Sequence, residues 1–299
     1  MWRKLNKPLL AKIRRASREY GLIQPYDKIA VGLSGGKDST VMLYALSVLQ
    51  KTLPIPFELV GISLDVGWNN DYELVGRYCR ELGIPFHLEQ TQIGRIVYEE
   101  RKEANPCSLC ANMRRGAINS VAKQLGCNKV ALGHHLDDAL ETFLMSMVFE
   151  GRMHTFSPRT YLSRADITVI RPMIYVYEKD IISIANKLEL PVVPNNCPAD
   201  GLTKRTTMKE EMARFEAMNS TVRERMLNAI TTTLWAPLML PEEEQVMKPI
   251  KKMLQTEKDE SQPETKTDMQ TAEAAKILPQ QQQPEAEPFH ITRQSLLEQ

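Results

Sequence analysis

The sequence lacks any long apolar run. Its longest apolar stretches, residues 28–33 and 129–133, have the length of strands, whereas a helix that crosses a membrane needs roughly 20 apolar residues. The first residues are basic and polar, with no apolar segment of the kind that directs secretion. We therefore expect a soluble protein located in the cytoplasm.

Cysteine is also scarce, with five in 299 residues: Cys79, Cys107, Cys110, Cys127 and Cys197. This number in a chain without a secretory signal argues against a framework of disulfides and raises metal or redox chemistry as the alternative. Cys79 lies within a helical pattern and Cys127 just before a strand pattern, so we expect both to be small buried residues.

Net charge is nearly absent, but the value of +1 conceals two unlike parts. Residues 242–299 carry 7 basic and 12 acidic side chains, which leaves 31 basic and 25 acidic ones in residues 1–241. Seven of the bases lie in the first twenty residues: Arg3, Lys4, Lys7, Lys12, Arg14, Arg15 and Arg18. Such a cluster suits a polyanion such as RNA, and it suits a solvated helix face equally well.

The last segment, residues 242–299, has no glycine or tryptophan and a single aromatic residue, Phe289. A segment of this composition buries too little apolar surface to offset its ordering entropy, so we expect a mostly disordered polar tail. Residues 1–24 are expected to form a basic helical segment, and residues 25–241 the main folded domain.

Strand and helix patterns alternate along the domain. Strand patterns cover 28–33, 57–64, 85–89, 129–132 and 167–170, and helical patterns cover 39–50, 72–82, 111–125, 137–149 and 178–188. Strands separated by helices of this length form parallel crossovers, which predicts an α/β protein with a doubly wound, mostly parallel sheet. Ligands bind such sheets beyond the carboxyl ends of the strands.

A glycine-rich stretch stands between the first strand and the first helix of the domain. It consists of Ser34, Gly35, Gly36, Lys37, Asp38 and Ser39. The glycines let backbone amides approach a phosphate, and the helix that follows offers free N–H groups and the positive end of its dipole. Lys37 can add a charge, and Asp38 can cap the helix or hold a metal ion. The spacing is not that of a Walker A loop, and the alternative is a plain glycine turn.

This stretch resembles the SGGxDS signature of the PP-loop ATPases, which have an adenine nucleotide alpha hydrolase-like fold and cleave ATP to AMP and pyrophosphate. A second stretch, Gly133 to Thr142, is similar to the GHxxDDxxET element of these enzymes. The resemblance implies that Gly133, His134, Asp137 and Asp138 face the same cleft. Asp137 and Asp138 can cap a helix or ligate Mg²⁺, and His134 and His135 can pack or contact phosphate. Asp65, at the end of the second strand, lies where a nucleoside would sit.

Three cysteines stand in settings that we expect to be loops. Cys107 and Cys110 form a CxxC pair, and Cys197 lies in a later segment. Three thiols suit a metal site with one open position, whereas structural zinc takes four ligands. A redox CxxC is the competing interpretation, and it leaves Cys197 without a role.

The glycine-rich loop and the CxxC pair together resemble those of the TtcA-like tRNA 2-thiocytidine synthetases. The matching segments are PCSLCANMRRG (106–116), GHHLDDALET (133–142) and RPMIY (171–175), and the resemblance covers about residues 2–217. It implies a [4Fe-4S] cluster held by Cys107, Cys110 and Cys197, whose fourth iron can carry sulfide. It also implies ATP, Mg²⁺, a sulfur donor such as a cysteine desulfurase, and tRNA as partners, with a homodimer as a further expectation.

The resemblance further implies a two-step reaction at cytidine 32 of the anticodon loop. The C2 oxygen is adenylated and then replaced by sulfur, with Lys37, Asp38, Asp137 and Asp138 as the catalytic residues. The chain departs from some family members in lacking a second cysteine near Cys197, and it lacks the extra CxxC pairs of related uridine thiolases. We expect Arg114, Arg115 and the segment 12–18 to contact the RNA backbone, with a solvated helix surface as an equal alternative for each. The alternatives are a uridine thiolase, a lysidine synthetase and a non-catalytic nucleotide- or RNA-binding module.

Overall fold

A six-stranded sheet forms the centre of the computed structural model. The structure describes residues 2–68, 70–101, 106–194, 196–197 and 204–235, with the side chains of residues 2–6 excluded. These residues belong to one compact unit that spans residues 1–247. The predicted polar tail, residues 242–299, lies outside the described residues.

The helices and strands follow one another in a regular order. The strands are β1 Lys28–Gly32, β2 Glu58–Asp65, β3 Phe86–Gln90, β4 Lys129–Ala131, β5 Arg159–Leu162 and β6 Ile167–Ile170. The α-helices are α1 Trp2–Tyr20, α2 Lys37–Thr52, α3 Tyr72–Leu82, α4 Ile93–Arg95, α5 Pro106–Gln124, α6 Leu136–Glu150, α7 Glu178–Lys187, α8 Lys204–Met218 and α9 Val222–Thr233. A π-helical turn, Ile96–Arg101, continues α4.

The strand order is β3-β2-β1-β4-β6-β5, and all neighbouring pairs are parallel except β5 with β6. The predicted doubly wound, mostly parallel sheet is confirmed. The sequence proceeds outward from β1 through β2 on one side, and β4 pairs with β1 on the other. The carboxyl ends of β1 and β4 therefore flank the point where the strand order reverses, which is where such sheets bind ligands.

Apolar side chains cover both faces of the sheet. One core combines strand residues with α1, α2, α3, α6 and α7, and a second core packs α5 and the π-helical turn against the other face. Helix α2 is buried around most of its circumference because α1 and α7 cover its outer side. The apolar side of α1, including Leu9, Ile13 and Tyr20, lies in the first core.

The structure corrects the expectation that Cys107 and Cys110 occupy a loop. Helix α5 begins at Pro106, five residues before the predicted start, so both cysteines lie in its first two turns. Proline suits the first position of a helix because its missing N–H has no partner there in any case. Strand β5 and helices α8 and α9 were not predicted. None of the helices in the described ranges is long and apolar enough to cross a membrane.

Candidate active site

The glycine-rich loop connects β1 to α2 at the carboxyl edge of the sheet. Gly35 has φ of +85°, and a Cβ placed there would come within 2.9 Å of Val193 Cβ, so glycine is needed on both counts. The hydroxyl of Ser39 donates to the carbonyl of Gly36 at 2.9 Å, which fixes the loop against the helix. Gly36, the N-cap of α2, has no side-chain cap among the described residues, which leaves the first N–H groups of the helix open to an anion.

Lys37 is held at this helix start by two carboxylates. Its Nζ lies 3.2 Å from Asp38 Oδ2 and 3.1 Å from Glu178 Oε1, at the start of α7. Burial alone would lower the pKa of Lys37, but Asp38 and Glu178 raise it overall, so the side chain stays charged. Glu178 also pairs with Lys209 of α8 at 2.6 Å. Burial would raise the pKa of Glu178, but hydrogen bonds from Lys209 and Lys37 lower it to about 2.

The second motif lies directly against the first. A Cβ on Gly133 would come within 3.2 Å of the backbone nitrogen of Ser39, so the two segments pack backbone to backbone. His135 caps α6, because its Nδ1 accepts from the N–H of Asp138 at 3.4 Å. Asp138 Oδ2 in turn accepts from the N–H of His135 at 3.0 Å. His135 is thus a buried capping residue.

The motif carboxylates are paired with arginines from the last two helices. Arg205 Nη1 lies 3.0 Å from Asp138 Oδ1 and 3.1 Å from Glu141 Oε2. Arg223 pairs closely with Asp137, whose other oxygen accepts from the N–H of Glu178 at 2.6 Å. Burial raises the pKa of Glu141 and Arg205 opposes the rise, so the buried carboxylate depends on this partner.

One carboxylate oxygen at this site has no hydrogen-bond partner. Asp38 Oδ1 is buried and makes no hydrogen bond to any residue that the structure describes. An orphaned carboxylate oxygen next to a phosphate-binding loop suits a hard cation such as Mg²⁺. Asp65 stands at the end of the neighbouring strand β2, where its Oδ1 accepts from the N–H of Gly67 at 2.9 Å.

His134 makes a packing contact with an aromatic ring. Its ring lies 4.9 Å from the ring of Phe156. Burial, with the nearby charge of Arg171, lowers the pKa of His134 to about 4, so the ring is neutral at physiological pH. A neutral imidazole can hydrogen bond to a ligand but adds no charge.

The three predicted cysteine ligands come together around Tyr98. The hydroxyl of Tyr98 lies 3.8 Å from Cys197 Sγ, and Cys107 and Cys110 are both within electrostatic reach of the same hydroxyl. Burial raises the pKa of the Cys110 thiol; Arg114 opposes the rise, and the thiols of Cys197 and Cys107 add to it. The remaining cysteines, Cys79 and Cys127, are buried elsewhere, as predicted.

The donor set consists of three cysteines, the residue type that holds iron-sulfur clusters. Within the described ranges, no three His, Cys, Asp or Glu side chains are arranged to hold one metal ion. Cysteine thiolates are the ligands that iron-sulfur clusters take, and three of them would hold three irons of a four-iron cluster. The residues present therefore fit a cluster with one iron free of protein ligands.

A short loop links the cysteine site to the nucleotide loop. The N–H of Val193 donates to the carbonyl of Gly35 at 2.9 Å. Four residues later, Cys197 contacts Tyr98, and the side chain of Asn196 donates to the carbonyl of Trp68 at 3.2 Å. The Trp68 ring packs edge-on against Tyr98, with 5.3 Å between centroids. The sulfur site and the nucleotide loop thus share one connecting segment.

Several of the basic residues expected to contact RNA have intramolecular partners. Lys12 pairs with Asp180 at 2.7 Å and lies over the Tyr177 ring. Arg15 pairs with Glu19 at 2.9 Å. Arg114 and Arg115 are both exposed, on the helix that carries Cys107 and Cys110.

The sequence interpretation missed the cations that complete the site. Lys209, Arg205 and Arg223 lie on α8 and α9, in segments where no motif was recognised as a binding element. Glu178 was placed at the start of a helical pattern, 178–188, without a role. Tyr98 lies on a π-helical turn, a feature often found at functional sites but without a sequence signal of its own.

Comparisons with known proteins agree with this geometry. A family model described as a PP-loop domain matches residues 6–230. A tRNA-cytidine(32) 2-sulfurtransferase of Geobacter sulfurreducens is 39% identical over 228 residues, covering 75% of this chain and 89% of the relative. One from Pelobacter propionicus is 39% identical over 232 residues, covering 75% and 86%. A solved U34-tRNA thiolase of Methanococcus maripaludis, described with its [4Fe-4S] cluster, shares the fold with a TM-score of 0.62 at 24% identity, covering 75% of this chain and 77% of its own.

Proposed function

Because this chain belongs to the PP-loop proteins and, within them, to the tRNA-cytidine(32) 2-sulfurtransferase family, we propose that it thiolates a cytidine of tRNA in an ATP-dependent reaction. The observation that carries the proposal is the closeness in sequence of Val193, which donates to Gly35 of the nucleotide loop, and Cys197, one of the three thiols. Nucleotide binding alone has no use for three thiols at that position. The substrate position, cytidine 32 of the anticodon loop, is taken from the names of the relatives.

In the first step, the triphosphate of ATP lies at the start of α2. The open N–H groups of the helix and the Gly35–Gly36 backbone bind its oxygens, and Lys37 contributes a positive charge. Mg²⁺, with Asp38 and Asp137 or Asp138 as ligands, would neutralise the remaining charge. The C2 oxygen of cytidine attacks the α-phosphorus, so that the O–P bond forms, the bond to pyrophosphate breaks, and pyrophosphate leaves.

In the second step, sulfur replaces the activated oxygen. A bound [4Fe-4S] cluster, held by Cys107, Cys110 and Cys197, would supply an iron with an open position for the sulfur. Sulfur at the oxidation level of sulfide forms a bond to C2, the C2–O bond breaks with its electron pair on oxygen, and AMP leaves. Sulfur that arrives as a persulfide is first reduced to this level by two electrons from a thiol. Trp68 and Tyr98 pack against each other beside the thiols, and Tyr98 supplies a hydroxyl next to Cys197. The sulfur source, such as a cysteine desulfurase, and a homodimeric state are further parts of the proposal.

The test is nucleoside mass spectrometry of tRNA from a strain in which the gene has been deleted, with the wild-type gene restored as the control. We expect 2-thiocytidine to disappear and to return on restoration. Loss of a thiolated uridine or of lysidine instead would assign another PP-loop reaction. If purified protein with tRNA and ATP forms no AMP, and no nucleoside changes, the chain is a binding module and the proposal is wrong.

A further inference from the structure

Arg171 is a buried cation without an acidic partner. It follows β6 directly, and only 9% of its surface is exposed. Its Nη1 donates to the carbonyl of Ser157 at 2.6 Å and lies 3.4 Å from Thr160 Oγ1. Its Nε is buried without a hydrogen-bond partner, and none of the carboxylates in the described ranges pairs with it. A buried charge left unpaired is costly, so its presence points to a counter-ion outside the residues that the structure describes.

The guanidinium is held in a fixed orientation. Its Cζ lies 4.8 Å from the centre of the Phe156 ring, and the ring of His134 lies 4.9 Å from the same ring. The carbonyl of Phe156 accepts from the indole N–H of Trp235 at 3.0 Å, which anchors the segment that carries the ring. A guanidinium held over a ring face keeps its N–H donors at its edge, where Nε makes no hydrogen bond to any described residue.

A second cation acts on the same place. Arg115 of α5 is exposed and near enough to Arg171 to oppose its charge. Burial, and then Arg115, lower the pKa of Arg171 to about 10, so the group remains charged at neutral pH. The neutral ring of His134 has a buried Nδ1 that makes no hydrogen bond to any described residue. The one carboxylate that acts on His134, Asp138, is itself paired with Arg205 at 3.0 Å. Arg171 and Arg115 therefore leave an excess of positive charge for a negative ligand.

The position of this group matters for the reaction. Arg171 follows β6 and His134 follows β4, and these two strands are neighbours, with Ala131 beside Ile170. His134 succeeds Gly133, which packs against the start of α2. Arg115 shares α5 with two of the three thiols. The group therefore borders both the nucleotide loop and the cysteine helix.

We propose that Arg171, stacked on Phe156 beside His134 and Arg115, binds a phosphate group, and that this phosphate is a backbone phosphodiester of the tRNA next to the nucleotide being modified. The inference rests on the proposed function, since an RNA substrate must enter between the nucleotide and the thiols. Arg115 is exposed and His134 is only partly buried, so the group borders solvent. A phosphate of ATP is the other source with the same chemistry.

The test compares Arg171→Gln, Arg171→Lys and Arg115→Gln with the control Arg214→Gln, which removes an exposed arginine of α8 that is paired with Glu211. Affinity for tRNA is measured by filter binding at several salt concentrations, and affinity for ATP by equilibrium dialysis without tRNA. We expect Arg171→Gln and Arg115→Gln each to weaken tRNA binding about tenfold and to reduce the salt slope by about one, with ATP affinity unchanged. Arg171→Lys should keep the salt slope of tRNA binding but weaken that binding, because lysine keeps the charge and lacks the planar guanidinium with its paired N–H donors.

Two results would overturn the inference. If tRNA and ATP affinities of all the variants match those of the control, no phosphate binds there. If ATP affinity falls while the salt slope for tRNA is unchanged, the phosphate belongs to the nucleotide and the assignment to RNA is wrong. Should Arg171→Gln fail to fold, as checked by circular dichroism, Arg115→Gln and Arg171→Lys decide. Because the readout is binding, failure of the proposed reaction is detected separately, by the absence of thiolated product from the wild-type protein.

Discussion

Lys37 Nζ lies 3.1 Å from Glu178 Oε1, which joins the nucleotide loop to the start of α7. The other oxygen of Glu178 pairs with Lys209 of α8. The carboxylate of Glu178 thus orients Lys37 and also binds helix α8. No sequence motif had indicated that α8 belongs to the site. The cations of α8 and α9 complete the same network through Asp137 and Asp138.

Substituting Glu178 with glutamine should make stability less dependent on acid pH. The folded-state pKa of Glu178, about 2, is below its ordinary value, so its stabilisation is fully present above about pH 4.5 and is lost as the pH falls towards 2. We expect Glu178→Gln to unfold more easily than wild type by on the order of 1–3 kcal/mol at pH 6, with the difference shrinking at pH 3. Urea denaturation at both values checks this, with Glu73→Gln as an exposed control. A difference that is equal at the two values would contradict the prediction.

Substituting Lys37 or Asp38 with alanine should abolish AMP formation in the presence of tRNA. These side chains are expected to serve the triphosphate, and loss of one transition-state contact commonly costs on the order of 10²-fold in rate. Visible absorption from the cluster and salt-sensitive tRNA binding should persist, because the thiols and the proposed RNA contacts lie on other segments. Lys51→Ala, at the exposed end of the same helix, is the control. Wild-type turnover in both variants would show that residues 34–39 are not the catalytic loop.

Removing any of the three predicted cysteine ligands should bleach the anaerobically purified protein. Thiolate-ligated iron-sulfur clusters absorb in the visible range, and Cys107→Ala, Cys110→Ala or Cys197→Ala each takes away one ligand. Cys79→Ala and Cys127→Ala should keep the colour, because both thiols are buried elsewhere in the core. Absorption spectra with iron analysis decide the matter. A colourless protein that carries zinc would rule out the cluster.

Removing Arg205 should destabilise the protein more at pH 8 than at pH 5. The folded-state pKa of Glu141 is already raised by burial, and Arg205 opposes that rise. Without Arg205 the folded-state pKa of Glu141 rises further. Ionising Glu141 then costs stability at every pH above the pKa that Glu141 has in the unfolded chain. We expect a loss on the order of 1–3 kcal/mol at pH 8 and less at pH 5, measured by chemical denaturation. Arg214→Ala should show no such pH dependence.

Local features of the chain were predictable and distant ones were not. The glycine-rich loop lies between a strand and a helix that are contiguous in sequence, so its position and the conformation of Gly35 follow from nearby residues. Helix α8 buries only Met208 and Met212, so its apolar periodicity is too sparse to predict a packed helix. Arg205 and Arg223 join the site through the way α8 and α9 pack on α6, a tertiary arrangement without a local pattern.

The start of α5 shows a different kind of error. Proline, cysteine and serine are poor residues for a helix interior, which favoured a loop at 106–110. Pro106 instead occupies the first position of the helix, where proline is well suited. Strand β5 was not predicted because it is short, half-exposed and at the edge of the sheet, and its sequence does not alternate between apolar and polar residues.

The hydrogen bond between Val193 and Gly35 fixes one end of the segment that leads to Cys197. The length of this segment then sets the maximum distance between the nucleotide loop and that cysteine. Four peptide steps separate Val193 from Cys197, and an extended chain covers at most about 14 Å in four steps. The reach of that thiol from the nucleotide loop is therefore limited by covalent length alone, whatever the packing around it. An insertion between these two positions would lengthen the tether while leaving every side chain of both sites intact, so the count of residues in this segment is itself a determinant of how near sulfur can come to the activated base.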